Sequence, residues 1–215
     1  MSYTDNVRSP RSGQLISVAG LVGRVVRNQA GAVIGKVKDV VTRWDESNYP
    51  LVTGLVVRVG RRSTFLHARN IADLRSSEVR LRSARLDLED FQRRAGEITL
   101  VADILDRQLI DVSGVRLVRA SDVYLTNIGE SHVLVGVDVG FQSLIRRLGP
   151  ARLRVHPTPS RVIDWAAVQP ISRPGEPLRL GGTRQALHRL RPADLAGLIE
   201  ELGTAYAPAF VAALD

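Results

Sequence analysis

The feature that most constrains this chain is an internal repeat. Gly31 and Asp39-Val40 fall in step with Gly114 and Asp122-Val123. Val57-Arg58-Val59-Gly60 matches Val137-Asp138-Val139-Gly140, slightly out of step. His67 to Leu74 has a counterpart in Asp164 to Ile171. The period is about 80 residues, the length of one small domain, so the order of these matches predicts two similar units in tandem.

Inside each unit the pattern is β. Leu21 to Val26, Val33 to Val41 and Val52 to Val59 are short apolar or alternating runs, and Leu55, Val57 and Val59 share one face. Turn residues separate them: Asn28-Gln29-Ala30-Gly31, Asn48-Tyr49-Pro50 and Gly60-Arg61-Arg62. Ser63 to His67 and Ala68 to Leu74 close the unit. The second unit runs through Leu100 to Leu105, Arg107 to Asp111 and Val115 to Leu125. It carries an insertion, Phe141 to Leu148, that reads as an amphipathic helix ended by Gly149-Pro150. Short strands with regular turns predict small barrels or sandwiches.

The period changes after Pro170 to Gly182, which reads as a linker. Pro192 suits a helix start, Leu195, Leu198, Ile199 and Leu202 make one apolar face, and Gly203 ends the run. The expected organisation is a flexible lead over 1–14, a first unit over 15–92, a second over 93–173, a linker over 174–182, and the truncated start of a helical domain over 183–215.

Composition narrows the function classes. Cysteine is absent, which removes disulfides, Cys-ligated zinc and thiol nucleophiles. No apolar run reaches the roughly 20 residues of a spanning helix. The polar start, with Asp5, does not read as a secretory signal. Net charge is +8, and Lys36 and Lys38 are the only lysines. That charge suits nucleic acid or anionic lipid, but the arginines are scattered along the chain without interleaved aromatics, as on an ordinary solvated surface.

The Gly-turn unit with Gly35-Lys36-Val37-Lys38-Asp39-Val40, Gly54-Leu55-Val56-Val57 and Asn70-Ile71 resembles the PRC-barrel family. That family includes the C-terminal domain of the ribosome maturation factor RimM and the cytoplasmic domain of the photosynthetic reaction-centre H subunit. The stretch His188 to Leu202, with Arg191-Pro192-Ala193-Asp194-Leu195-Ala196, resembles the opening of the MgtE intracellular N domain of magnesium transporters. The resemblance implies a mainly β fold of two tandem PRC-type barrels followed by a short α-helical segment. It also implies a magnesium-transport-related parent, with Asp194, Glu200 and Glu201 as candidate Mg²⁺ carboxylates.

The search for catalytic chemistry gives little. His67, His132, His156 and His188 lack metal-ligand spacing. Gly20-x-x-Gly23 and Gly181-Gly182-Thr183 lack the rest of a phosphate loop, and no Gly-x-Ser-x-Gly elbow occurs. Asp103, Asp106 and Asp111 offer a hard-cation cluster or, alternatively, charge balance for nearby arginines. Asp194 in a first helical turn is stabilised by the helix N-terminus without any metal. The expected function is therefore a non-enzymatic regulatory or interaction module. It would be cytoplasmic, docked at the inner membrane face through a partner or a further part of the parent, and would engage a protein partner, a transporter or a second copy of itself. Mg²⁺ would act only in the full-length protein. The alternative is an RNA- or ribosome-associated factor.

Overall fold

The computed structural model describes residues 14–44, 48–83, 90–111, 114–140, 162–170, 190–200, 207 and 211. The chain is mainly β, and its large sheet curls into a half-barrel. The expected insertion helix at Phe141 to Leu148, the linker and Glu201 lie outside the described residues.

In the first half, β1 (Ile16–Ser17) leads into a one-turn helix, α1 (Val18–Leu21). Then come β2 (Val25–Arg27), β3 (Val33–Arg43), β4 (Leu51–Val59) and β5 (Arg62–His67). A 3-10 turn at Ala68–Asn70 precedes β6 (Ile71–Asp73) and β7 (Val79–Leu81). The second half repeats the order. β8 (Glu97–Thr99) leads into a π-type turn, Leu100–Ile104. β9 (Gln108–Asp111), β10 (Arg116–Arg119), β11 (Asp122–Ile128) and β12 (Ser131–Asp138) follow. β13 (Val162–Asp164), a 3-10 turn at Trp165–Ala167 and β14 (Val168–Pro170) complete it. Residues 192–200 are helical.

Three expected strands are resolved differently, and one of them, Leu100 to Leu105, is taken up by the π-type turn and its C-cap. Leu21 ends a helical turn rather than starting a strand, because Ser17 caps that turn by accepting from the Gly20 N–H at 2.8 Å. The run Val115 to Leu125 breaks between β10 and β11 at Ala120-Ser121, where the Ser121 N–H and hydroxyl both donate to the Asp138 carbonyl at 2.8 Å.

Strands from both halves join one eleven-stranded sheet, with path β1-β11-β12-β4-β3-β2-β7-β6. β10, β9 and β14 form a separate small sheet. One hydrophobic core runs through both halves, from Ile16, Leu21 and Leu55 to Leu100, Leu109, Leu134 and Trp165. Leu55 and Val57 lie in that core and Val59 packs against it. At 20–33 cal/mol per Å² of apolar surface, such a shared core outweighs any single contact in holding the halves together.

Glycines permit the tight strand approach at equivalent places. Gly54 lies opposite His67, and a Cβ there would sit 2.3 Å from the Leu66 carbonyl and 2.6 Å from the Phe65 ring. Gly136 lies opposite Asp164, and its Cβ would meet Val162 Cγ1 at 2.8 Å.

Candidate functional site: the seam between the halves

The first strand of each half is paired by the other half. β1 runs antiparallel to β11, with Ile16 opposite Leu125 and Ser17 opposite Tyr124. β8 runs antiparallel to β3, with Ile98 opposite Thr42 and Thr99 opposite Val41. These are the same pairings displaced by one repeat. β4 and β12, counterparts of each other, meet where Leu51 lies opposite Val133. The Leu134 N–H donates to the Pro50 carbonyl beside that contact at 2.9 Å.

The helical turns after these first strands are capped across the seam. Asp39, in β3, accepts from the Val101 N–H at 2.8 Å and the Ala102 N–H at 3.1 Å. Asp122, in β11, accepts from the Ala19 N–H at 2.9 Å and the Ser17 hydroxyl at 2.5 Å. Each aspartate also accepts from the next residue's N–H, Val40 at 2.7 Å and Val123 at 2.8 Å. A helix start leaves its first N–H groups without internal partners, and a carboxylate is the strongest acceptor for them.

Both aspartates are buried, at 6% relative exposure each. Burial pushes both carboxyls above the usual value, and the N–H bonds pull them back only in part. Asp138 lies opposite Asp122 and adds negative charge there; it accepts from the Gly140 N–H at 2.7 Å and the Tyr124 hydroxyl at 3.3 Å. Trp44 and Trp165, one from each half, meet edge to face across the seam at 5.7 Å and 73°.

Asp194 and Glu200, two of the carboxylates named by resemblance, form none of the seam contacts described above. Asp194 accepts two bonds from the Arg191 guanidinium, at 3.0 and 3.2 Å, and these hold its carboxyl below the usual range. Glu200 is exposed at the far end of the same helical run. Six helical residues separate the two by about 9 Å and 240°, so one ion does not bridge them. Glu201 lies outside the described residues.

The acidic trio of the second half takes structural roles. Asp103 accepts from the Thr99 N–H at 2.8 Å and pairs with Arg93 at 2.8 Å. Asp111 accepts from the Gly114 N–H at 2.9 Å and pairs with Arg116 at 3.1 Å. Asp106 sits at a turn with positive φ. Among the described residues, no group of three or more His, Asp or Glu side chains is placed to hold a metal ion. His67 lies edge-on to Phe65, His132 is half-buried with its pKa lowered by burial, and His156 and His188 fall outside the described residues. No helix among the described residues is long and apolar enough to cross a membrane.

The sequence contains the seam residues but gives no sign of their role. Asp39-Val40 and Asp122-Val123 are visible as a repeated pair, while the N–H groups they bind lie far along the chain. No protein-family model matches this chain, and no curated protein matches it.

Proposed function

We propose that the protein is a non-enzymatic interaction and regulatory module, the N-terminal part of a magnesium-transport-related protein. In this reading two PRC-barrel-like halves form one rigid block. The block presents its sheet faces to a partner protein or to the rest of the parent at the inner face of the membrane. The observation that supports it best is the reciprocal exchange of first strands and Asp caps, which fastens the halves into a single body with a continuous core. The buried seam aspartates Asp39 and Asp122 are engaged in capping backbone N–H groups. The resemblance of His188 to Leu202 to the MgtE N domain supports the magnesium part.

Sedimentation velocity and amide exchange of the 215-residue chain across the millimolar Mg²⁺ range test the magnesium reading. The expected result is a compaction with added protection over 190–200. An unchanged sedimentation coefficient and unchanged exchange would overturn it.

A further inference from the structure

The fold gathers both of the chain's lysines into one basic patch. Lys36 on β3 lies directly opposite Arg58 on β4, and Arg58 lies opposite Ser63 on β5. Lys38 is the extra residue of a bulge in β3, between Val37 and Asp39. Its ammonium donates to the Ser63 hydroxyl at 3.1 Å. Lys36, Lys38 and Arg58 are all exposed and so surround one serine on one sheet face. Arg61 and Arg62 extend the charge to the β4–β5 turn, where Gly60 adopts φ +60°. Among the described residues no carboxylate pairs with any of the five; Asp39, the nearest acid in sequence, turns to the seam.

Like charges directly opposite each other across two strands are destabilising, so the Lys36–Arg58 pair works against the fold it sits in. A negatively charged ligand removes that repulsion. The same face continues along β5 as a row of rings. Ser63, Phe65 and His67 alternate with buried Thr64 and Leu66. Phe65 stacks on Phe91 at 6.1 Å, meets His67 edge-on at 4.8 Å and carries the Arg94 guanidinium at 4.6 Å. Charge alone suits any polyanion. Cations beside a half-exposed aromatic cluster suit a nucleotide strand, whose phosphates meet the charges and whose bases lie against the ring edges.

We propose that this β3–β4–β5 face binds a single-stranded nucleic acid, with Lys36, Lys38 and Arg58 on its phosphates and the Phe65–His67 row beside its bases. This goes beyond the magnesium reading and stands or falls separately from it.

The test is fluorescence anisotropy of a labelled oligouridylate titrated with the full chain. Three phosphate contacts give a single-strand salt slope of roughly −2, so a fourfold rise in salt weakens binding about 20-fold. The triple variant Lys36→Gln, Lys38→Gln, Arg58→Gln is expected to lose at least tenfold in affinity and most of that slope. A control with the same charge loss, Arg69→Gln, Arg107→Gln, Arg119→Gln, is expected to change affinity less than threefold. Trp44 and Trp165 fluorescence reports whether each variant folds. If the triple variant does not fold, Arg58→Gln alone takes its place, with a slope reduced by about 0.7. Absence of binding at low salt overturns the proposal, as does equal loss in the patch and control variants. So does preference for phosphatidylglycerol vesicles or polyglutamate over the oligonucleotide.

Discussion

Asp39→Ala and Asp122→Ala should damage the protein by the same mechanism and by similar amounts. Asp39→Ala leaves the Val101 and Ala102 N–H groups facing a buried gap, because residue 39 is 6% exposed and water cannot replace the carboxylate. Losing an N-cap costs about 1 kcal/mol, and each buried donor left without a partner costs about 1–3 kcal/mol. Relief of a carboxylate that burial already disfavours offsets part of this. The net expectation is about 3 kcal/mol, or a fall in Tm of roughly 6–12 °C for a chain of this size. Asp122→Ala strands the Ala19 N–H and the Ser17 hydroxyl, but Ser17 still caps Gly20, so its cost should be equal or slightly smaller. The assay is urea unfolding read in two ways. Tryptophan emission reports the seam, since the chain's two tryptophans meet there. Far-UV circular dichroism reports the sheets. Both variants should unfold in one transition with coincident probes. A cost below about 0.5 kcal/mol, the size of an ordinary surface substitution, would refute the capping argument. A two-step transition in which one half survives would refute the shared core.

Three further outcomes follow from the same geometry. Because the folded Asp39 carboxyl is raised above its usual 3.8, it takes up its proton earlier on acidification than the unfolded chain does. Wild type should therefore gain stability relative to Asp39→Asn as pH falls from neutrality, levelling off below 3.8; a difference that shrinks on acidification would contradict the sign. Gly54→Ala should cost more than Gly136→Ala in thermal melts, about 3 against about 1 kcal/mol, because the first Cβ strikes a carbonyl and a ring, while the second meets a movable Val162 methyl and reaches the Ile163 carbonyl only at 3.1 Å; the reverse order would sink this reading. Asp73 is lowered to about 2, chiefly by the Ser76 hydroxyl and then by Arg75. Its stabilisation is present above 3.8 and lost as pH falls toward 2, and its exposure keeps it under about 1 kcal/mol. A carboxyl titration by NMR that returns an ordinary value would remove it.

The β character was legible because it is local: alternation in Val33–Arg43 and the branched run in Leu51–Val59 need no distant partner. One correspondence needed the structure to correct it. Likeness of side chains matched Val57-Arg58-Val59-Gly60 to Val137-Asp138-Val139-Gly140. Strand pairing instead sets Val56 opposite Asp39 and Asp138 opposite Asp122, so Val139 is the counterpart of Val57. The turns at Val18–Leu21 and Leu100–Ile104 were not legible, since a single turn carries no helical period and is stabilised from outside. The basic patch escaped for the same reason. Its cations lie on successive strands and their turn, and only the pairing of β3, β4 and β5 collects them on one face beside Phe65 and His67.

This dependence on distant partners has a kinetic consequence at Ala19 and Val101. Isolated turns of four or five residues fray freely, and their first amides exchange fastest because no earlier carbonyl holds them. Here each of these amides donates to a buried aspartate of the opposite half, beside a strand that the same half pairs. Exposing Ala19 requires releasing Ser17 from Tyr124 and opening the Asp122 site, and exposing Val101 requires releasing Thr99 from Val41. Both openings cut into the common core at Leu21 and Leu100. Native-state hydrogen exchange should therefore give Ala19 and Val101 protection near that of Leu55 and Leu125 in the central strands, with the same dependence on low denaturant. Fast, denaturant-independent exchange at both amides would mean that the turns fray without separating the halves, and the seam would then be an association of two independently stable units.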